Sequence, residues 1–201
     1  MGHPRKIRRK FSRPSHPWQK LRIDEENALA KEFGLVKKRE IWRLGSLLSN
    51  FKAQAKRLSA SRTEQSKKET VQLMKRLSSY GLVAVDSSYD DVLSIPLKKL
   101  LERRLQSVLF AKKLAKTMKQ ARQMITHNHV SVGLKTISSP SYLVKINEEN
   151  SIVFRTVSPF SDDEHPERKR KDMEEVKEEV KKLKEQIAEK KSEEKAKEAK
   201  K

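Results

Sequence analysis

A cluster of lysines around one predicted helix start is the part of this sequence best suited to binding chemistry. Thr117 and Gln120 have the T-x-x-Q spacing of a capping box, which predicts that a helix begins at about Met118. The first turn of a helix leaves backbone N–H groups unpaired and carries the positive end of the helix dipole, so it attracts anions. Four lysines surround that turn: Lys112, Lys113, Lys116 and Lys119. Together they predict a site for phosphate groups.

Two helices and a β hairpin are predicted to position these lysines. Apolar residues recur three or four positions apart over residues 97–109, which predicts a first helix with one apolar stripe. The stripe contains Leu97, Leu100, Leu101, Leu105, Val108 and Leu109, and the cations mostly off it are Lys98, Lys99, Arg103 and Arg104. In the second helix, Ala121, Met124 and Ile125 are expected in the core, with Lys119, Arg122, Gln123 and Thr126 more exposed. From residue 129 the pattern alternates through Val130 and Val132 and again through residues 142–146, as in a hairpin.

Several motifs, in order along the chain, resemble one known family. Residues 117–130, Thr-Met-Lys-Gln-Ala-Arg-Gln-Met-Ile-Thr-His-Asn-His-Val, resemble the signature helix of the alpha-L RNA-binding module and the start of its next strand. Residues 16–18, 38–43, 80–82, 101–105, 139–144 and 158–160 resemble segments of the archaeal-type ribosomal small-subunit protein four. The resemblance covers roughly residues 1–160. Lys113 stands where the module usually has a glycine, and Val132-Gly-Leu-Lys replaces the common Asn-Gly hairpin turn.

This resemblance implies a structural component of the small ribosomal subunit, located on the ribosome in the cytoplasm. Such a protein would bind rRNA directly, nucleate assembly of the 5′ domain and contact neighbouring small-subunit proteins. No cofactor, metal, membrane or small-molecule substrate is implied. The alternative is a non-ribosomal RNA-binding factor of the recycling or stress type that uses the same module. That factor would bind ribosomes substoichiometrically and would not need the upstream motifs.

Composition excludes several classes of protein. The 201 residues include no cysteine, so neither a disulfide framework nor a thiolate zinc site is available. The longest apolar run, residues 82–85, is too short to span a bilayer, and the N-terminus lacks the apolar stretch of a secretory signal. The sequence has no Gly-rich phosphate loop, G-x-S-x-G or H-E-x-x-H motif. We therefore expect a soluble cytoplasmic protein that is not an enzyme.

The distribution of charge indicates a polyanionic partner. Residues 161–201 contain 14 Lys or Arg and 14 Asp or Glu, so the whole formal charge of +20 lies in residues 1–160. Such a body repels itself unless phosphates neutralise it and release their counterions.

The predicted fold is α+β and mostly α, in four segments. Residues 1–22 form an extended basic arm, since prolines at 4, 14 and 17 block regular helix. Residues 23–96 form a helical body, and residues 97–160 form the alpha-L module, two helices packed on a hairpin or small sheet, with the following strand. Residues 161–201 form a charged tail, helical or frayed, whose short apolar stripe favours a solvated helix over a seam for a partner helix.

Within the body, two predicted helices carry apolar stripes that we assign to the core. The first stripe contains Ile41, Leu44, Leu48, Phe51, Ala55 and Leu58, and the second contains Val71, Met74 and Leu77. The second helix is predicted to stop near Tyr80, with Gly81 as the residue after its end.

Candidate RNA contacts occur in the first three segments. In the arm they are Arg5, Arg8, Arg9, Arg13 and Trp18, and in the body they are Arg39 and Arg43. In the module they are Arg103, Arg104, Lys112, Lys113, Lys116, Lys119, Gln120, Arg122, Gln123, His127 and Lys135. Thr117 is assigned to the helix cap first.

Three of these residues carry open alternatives. Trp18 either packs on protein or stacks on a base. Arg122 either reaches the anion site at the helix start or packs its stem on Met118 and forms a local salt bridge. His127 either hydrogen-bonds RNA or caps helix carbonyls, and with His129 it lacks the third ligand that a metal site would need.

Overall fold

The computed structural model describes residues 9, 11–61, 63–84, 87–162 and 165–166. In order, the helices are α1 Lys20–Glu32, α2 Lys38–Ala60, α3 Glu64–Ser79, α4 Tyr89–Ser94, α5 Leu97–Glu102, α6 Leu105–Ala111, α7 Met118–Thr126 and α8 Ile146–Glu149. The strands are β1 Val130–Val132, β2 Lys135–Thr136 and β3 Ile152–Phe154, and a 3-10 turn covers Pro159–Ser161. The chain divides into two compact units, Met1–Ser161 and Asp162–Lys201. The predicted α+β, mostly α fold is confirmed.

The core of the helical body follows the periodicity of α2. All six residues of its predicted stripe are buried, because residues three and four apart share one face of a helix. The stripe predicted for α3 is wrong at Val71, which is 67% exposed, whereas Leu73 and Leu77 are 3% and 0% exposed. Six residues separate Val71 from Leu77, which at 3.6 residues per turn places them about 120° apart. The i,i+4 pair of leucines therefore defines the buried face.

Four helices end in the same two hydrogen bonds. After α3, the N–H of Leu82 donates to Leu77 O at 3.1 Å and the N–H of Gly81 donates to Ser78 O at 2.8 Å. This is a Schellman motif, and its left-handed residue is Gly81 with φ +68°, as predicted. The corresponding positions after α1, α6 and α7 are Gly34, Lys113 and Asn128.

The single helix predicted over residues 97–109 is wrong, because the chain breaks into α5 and α6 at Arg103 and Arg104. Arg104 is extended, with φ −71° and ψ 145°, and forms a β-bridge with Leu143. On either side of that bridge, Leu105 N–H donates to Tyr142 O at 2.8 Å and Val144 N–H donates to Arg103 O at 2.9 Å. A non-local backbone pairing thus interrupts a local helical pattern.

The break separates two hydrophobic cores. Leu100 and Leu101 of α5 belong to the core of the helical body, whereas Leu105 and Val108 of α6 pack with α7 and the sheet. The predicted segment boundary after residue 96 is not tested by this division and stays a prediction.

The predicted hairpin is present as β1 and β2, paired Val132 to Lys135 around Gly133, whose φ is +59°. The strand predicted over residues 142–146 is wrong beyond the single bridge at Leu143, since Ile146 begins α8. The third strand is β3, antiparallel to β1, and the sheet order is β2-β1-β3.

The helix predicted in the tail lies outside the described residues. Among those that are described, no helix combines the length and apolar character needed to cross a bilayer.

Candidate nucleic-acid interface

Helix α7 begins as its capping box predicts. Thr117 Oγ1 accepts a hydrogen bond from Gln120 N–H at 3.1 Å, and Gln120 Oε1 accepts one from Lys116 N–H at 2.7 Å. The glutamine thus caps the residue before the N-cap rather than the N-cap itself. Both side chains are committed to the helix start at Met118, which is confirmed.

Three of the four predicted lysines lie exposed around this helix start, namely Lys113, Lys116 and Lys119. The fourth, Lys112, is half-buried, and its ammonium donates to Glu149 O. Lys119 also lines a groove of 520 Å³ with Lys31 of α1, so the basic surface extends onto the helical body. The predicted phosphate site therefore retains three exposed cations and gains a fourth from α1.

The expectation that Arg103 and Arg104 lie off the apolar stripe is wrong. Arg103 is half-buried and donates to Glu149 Oε2 at 3.0 Å and to Val144 O at 3.2 Å. Arg104 is 1% exposed and donates to Glu40 Oε2 at 2.5 Å and to Ser141 Oγ at 3.3 Å. Both guanidinium groups therefore hold protein segments together.

Arg122 contacts the same carboxylate of α2. Its Nη1 donates to Glu40 Oε2 at 3.1 Å and its Nη2 donates to Glu40 Oε1 at 3.0 Å. Burial raises the pKa of Glu40, but hydrogen bonds and charge from Arg122 and Arg104 outweigh it and hold that pKa below its ordinary value. Of the two alternatives for Arg122, the structure favours the salt bridge, although its partner is 82 positions away rather than local.

Sequence reasoning missed Glu40 as the centre of this network. The signal was present, since Glu40 is the only acid among the 23 residues of α2. A single carboxylate in a long basic helix is expected to be paired, because an unpaired buried charge is costly.

The remaining module candidates are on the surface. Gln123, His127 and Lys135 are exposed. His127 caps α7 through its backbone N–H, which donates to Gln123 O at 3.0 Å. The described residues contain no group of side chains that could hold a metal ion.

In the arm and body, Arg9, Arg13, Arg39 and Arg43 are exposed, whereas Arg5 and Arg8 lie outside the described residues. Trp18 is 90% exposed, so it does not pack on the described protein. The structure brings Arg13, Trp18 and Arg39 together around one cleft. Exposed cations with an exposed aromatic are the combination that binds single-stranded RNA.

Comparison with known proteins gives consistent matches. Residues 103–150 match the S4 domain. Over 169 residues, 84% of this chain, the sequence is 45% identical to the small ribosomal subunit protein uS4 of Methanococcus aeolicus, of which the match covers 96%. The uS4 protein of Methanococcus maripaludis is 41% identical over 176 residues, which are 87% of this chain and 99% of that protein. For Methanococcus vannielii the identity is 43% over 169 residues, 84% of this chain and 95% of that protein.

Proposed function

Because the chain belongs to the family of the small ribosomal subunit protein uS4, we propose that it binds small-subunit rRNA directly and nucleates assembly of the 5′ domain. The observation that carries this proposal is the length of the match, 169 residues or more, which extends well beyond the S4 domain. The family is one of structural ribosomal proteins and not of enzymes, so the expectation of no catalytic activity is confirmed. The alternative of a non-ribosomal factor gains no support, since that factor would not need the arm and body.

The partners in this proposal are small-subunit rRNA and neighbouring small-subunit proteins, on the ribosome in the cytoplasm. The contacts to phosphate come from exposed cations of the arm, the helical body and the module. The amide of Gln123 and the ring of His127 contact exposed base edges. The cations are Arg9, Arg13, Arg39, Arg43, Lys113, Lys116, Lys119 and Lys135. Arg103, Arg104, Lys112 and Arg122 are assigned instead to the scaffold, because their donors bind protein oxygens.

The salt dependence of binding tests the many-contact mechanism. If about ten phosphates are neutralised, the logarithm of the association constant for a 5′-domain rRNA fragment should fall with log salt at a slope of roughly −7 to −9. A slope shallower than about −3 would contradict it.

Assembly is tested separately by reconstitution on the 5′-domain rRNA. Leaving this chain out should lower the occupancy of the proteins that bind that domain later, and purified small subunits should contain one copy of the chain. Unchanged occupancy would remove nucleation from the proposal while leaving rRNA binding in place.

A further inference from the structure

A cleft of 650 Å³ lies between the arm and the start of the helical body. Both tryptophans of the chain, Trp18 and Trp42, line it. Its walls also carry five cations: Arg13, Arg22, Lys37, Lys38 and Arg39. The proposed rRNA contacts Arg13, Trp18 and Arg39 are therefore parts of one concave site that contains a second indole.

One buried carboxylate organises the walls of this cleft. Glu26 of α1 is 7% exposed, and its Oε1 accepts hydrogen bonds from Trp42 Nε1 at 2.9 Å and from Arg22 Nη1 at 3.1 Å. The Nη2 of Arg22 donates in turn to the carbonyls of His16 and Pro17, each at 2.9 Å. Glu26 thus orients Trp42 directly and, through Arg22, fixes the turn that presents Trp18.

Charge and exposure indicate the chemistry of the ligand. Glu26 forms salt bridges with both Arg22 and Lys38, and Lys38 Nζ lies 3.6 Å from Glu26 Oε2. Two cations share one carboxylate, so these three residues carry a net charge of +1. The other three cations, Arg13, Lys37 and Arg39, are exposed and form no salt bridge with the described residues. An indole that is 90% exposed beside this positive charge is suited to a planar base carrying phosphates.

We propose that the cleft binds an unpaired nucleotide of rRNA, whose base stacks on Trp18 and whose phosphates contact Lys37 and Arg39. The inference rests on the proposed rRNA binding and adds that the nucleotide bound in this cleft is unpaired. A base within a duplex has both faces covered by its neighbours, so only an unpaired base can present a face to the indole. The two hydrogen bonds from Arg22 restrain the backbone just before Trp18, so less backbone freedom is lost when a base stacks on its indole.

Tryptophan fluorescence of the full chain tests this directly, because both emitters line the cleft. The probes are a single-stranded oligoadenylate of about 12 nucleotides and an RNA duplex of the same length. Stacking should quench the emission with the oligoadenylate, while the duplex should leave it nearly unchanged. Trp18→Phe, checked for folding by circular dichroism, leaves Trp42 as the sole emitter and should lose most of the quenching, which assigns the signal to Trp18.

Variants separate the cleft from general rRNA binding. Trp18→Ala should weaken binding of the oligoadenylate about 5- to 150-fold, and Trp18→Phe should recover part of that loss. Val71→Ala is the matched control, since Val71 is an exposed apolar residue of α3 outside the cleft. Equal quenching by the duplex, or an unchanged affinity of Trp18→Ala for the oligoadenylate, would overturn the inference. Tight binding of the 5′-domain fragment in the same experiment would leave the proposed function in place. If the fragment itself fails to bind, the proposed function fails first.

Discussion

Glu40 is the residue on which two arginines of the module depend. Its carboxylate accepts from Arg104 at 2.5 Å and from Arg122 at 3.0 and 3.1 Å, and Arg104 is almost completely buried. Removing the carboxylate leaves the buried guanidinium of Arg104 without a compensating negative charge. The network therefore links α2 of the body to α7 of the module and to Arg104, the N-cap residue before α6.

We predict that Glu40→Gln lowers the free energy of unfolding by about 3 kcal/mol, because the amide keeps the shape but removes the charge that compensates Arg104. Urea denaturation measures the change. Glu69→Gln is the matched control, since the half-buried Glu69 faces the exposed Arg57 at 3.6 Å and should lose less than about 0.5 kcal/mol.

The pH dependence of stability in Glu40→Gln and in the unaltered chain shows whether the charge of Glu40 is the cause. The pKa of Glu40 is lowered from 4.5 in the folded protein, so its stabilisation is fully present above pH 4.5 and is lost as the pH falls through the folded pKa. The difference in unfolding free energy between Glu40→Gln and the unaltered chain should therefore shrink below pH 4.5. A difference that is constant with pH would assign the destabilisation to packing rather than charge.

Arg122 and Lys119 lie on the same helix, α7, but we assign them different roles. Arg122 belongs to the scaffold, and Lys119 is a proposed RNA contact. Arg122→Ala should lower stability by about 2 kcal/mol and leave rRNA affinity within about threefold, since its donors bind Glu40. Lys119→Ala should leave the melting temperature unchanged and reduce the salt slope of binding by about 1. Thermal melts and titration of the 5′-domain fragment measure both. The reverse pattern would move the binding surface to Arg122.

At the scale of elements, the end of α6 carries a conformational strain. Lys113 has φ +61°, where the Cβ of an L-residue approaches the following carbonyl, whereas Gly34 and Gly81 adopt similar angles without a Cβ. Asn128 has φ +63°, but asparagine tolerates this region better than lysine. The motif is the same at all four positions, so its cost differs only by residue type.

We predict that Lys113→Gly raises stability by about 1 kcal/mol, or roughly 2–4 °C in melting temperature. Lys113→Ala is the control, because it removes the same charge but keeps the Cβ and should gain much less. Asn128→Gly should give a smaller increase than Lys113→Gly. A stability of Lys113→Gly equal to that of Lys113→Ala would show that charge, not backbone strain, sets the cost.

At the scale of the whole molecule, the net positive charge comes from residues 1–160, because residues 161–201 carry equal numbers of cations and anions. Long-range attraction to phosphate should therefore depend on the first of these two parts.

We predict that truncation after Phe160 leaves the dissociation constant for the 5′-domain fragment within about threefold. Filter binding at several salt concentrations measures it, and the salt slope should stay the same. A tenfold loss would mean that the tail contributes contacts that its balanced charge conceals.

Some local features of this chain were readable from the sequence, because neighbouring positions determine them. The apolar period of α2, the start of α7 and the left-handed glycine at 81 all depend on residues a few positions apart. The resemblance of ordered motifs likewise indicated the family. Such features follow from helical period, capping chemistry and the freedom of glycine at positive φ.

Only the tertiary structure decided which cations bind protein and which face solvent. Arg104 and Arg122 find Glu40 across 64 and 82 positions, and the bridge to Leu143 breaks a helix that periodicity alone predicts to be continuous. Glu26 likewise brings two tryptophan-bearing segments to one cleft. With 47 cations and 27 anions in the chain, local sequence does not select the pairs. The packing of the two cores selects the buried pairs, because burial makes an unpaired charge costly.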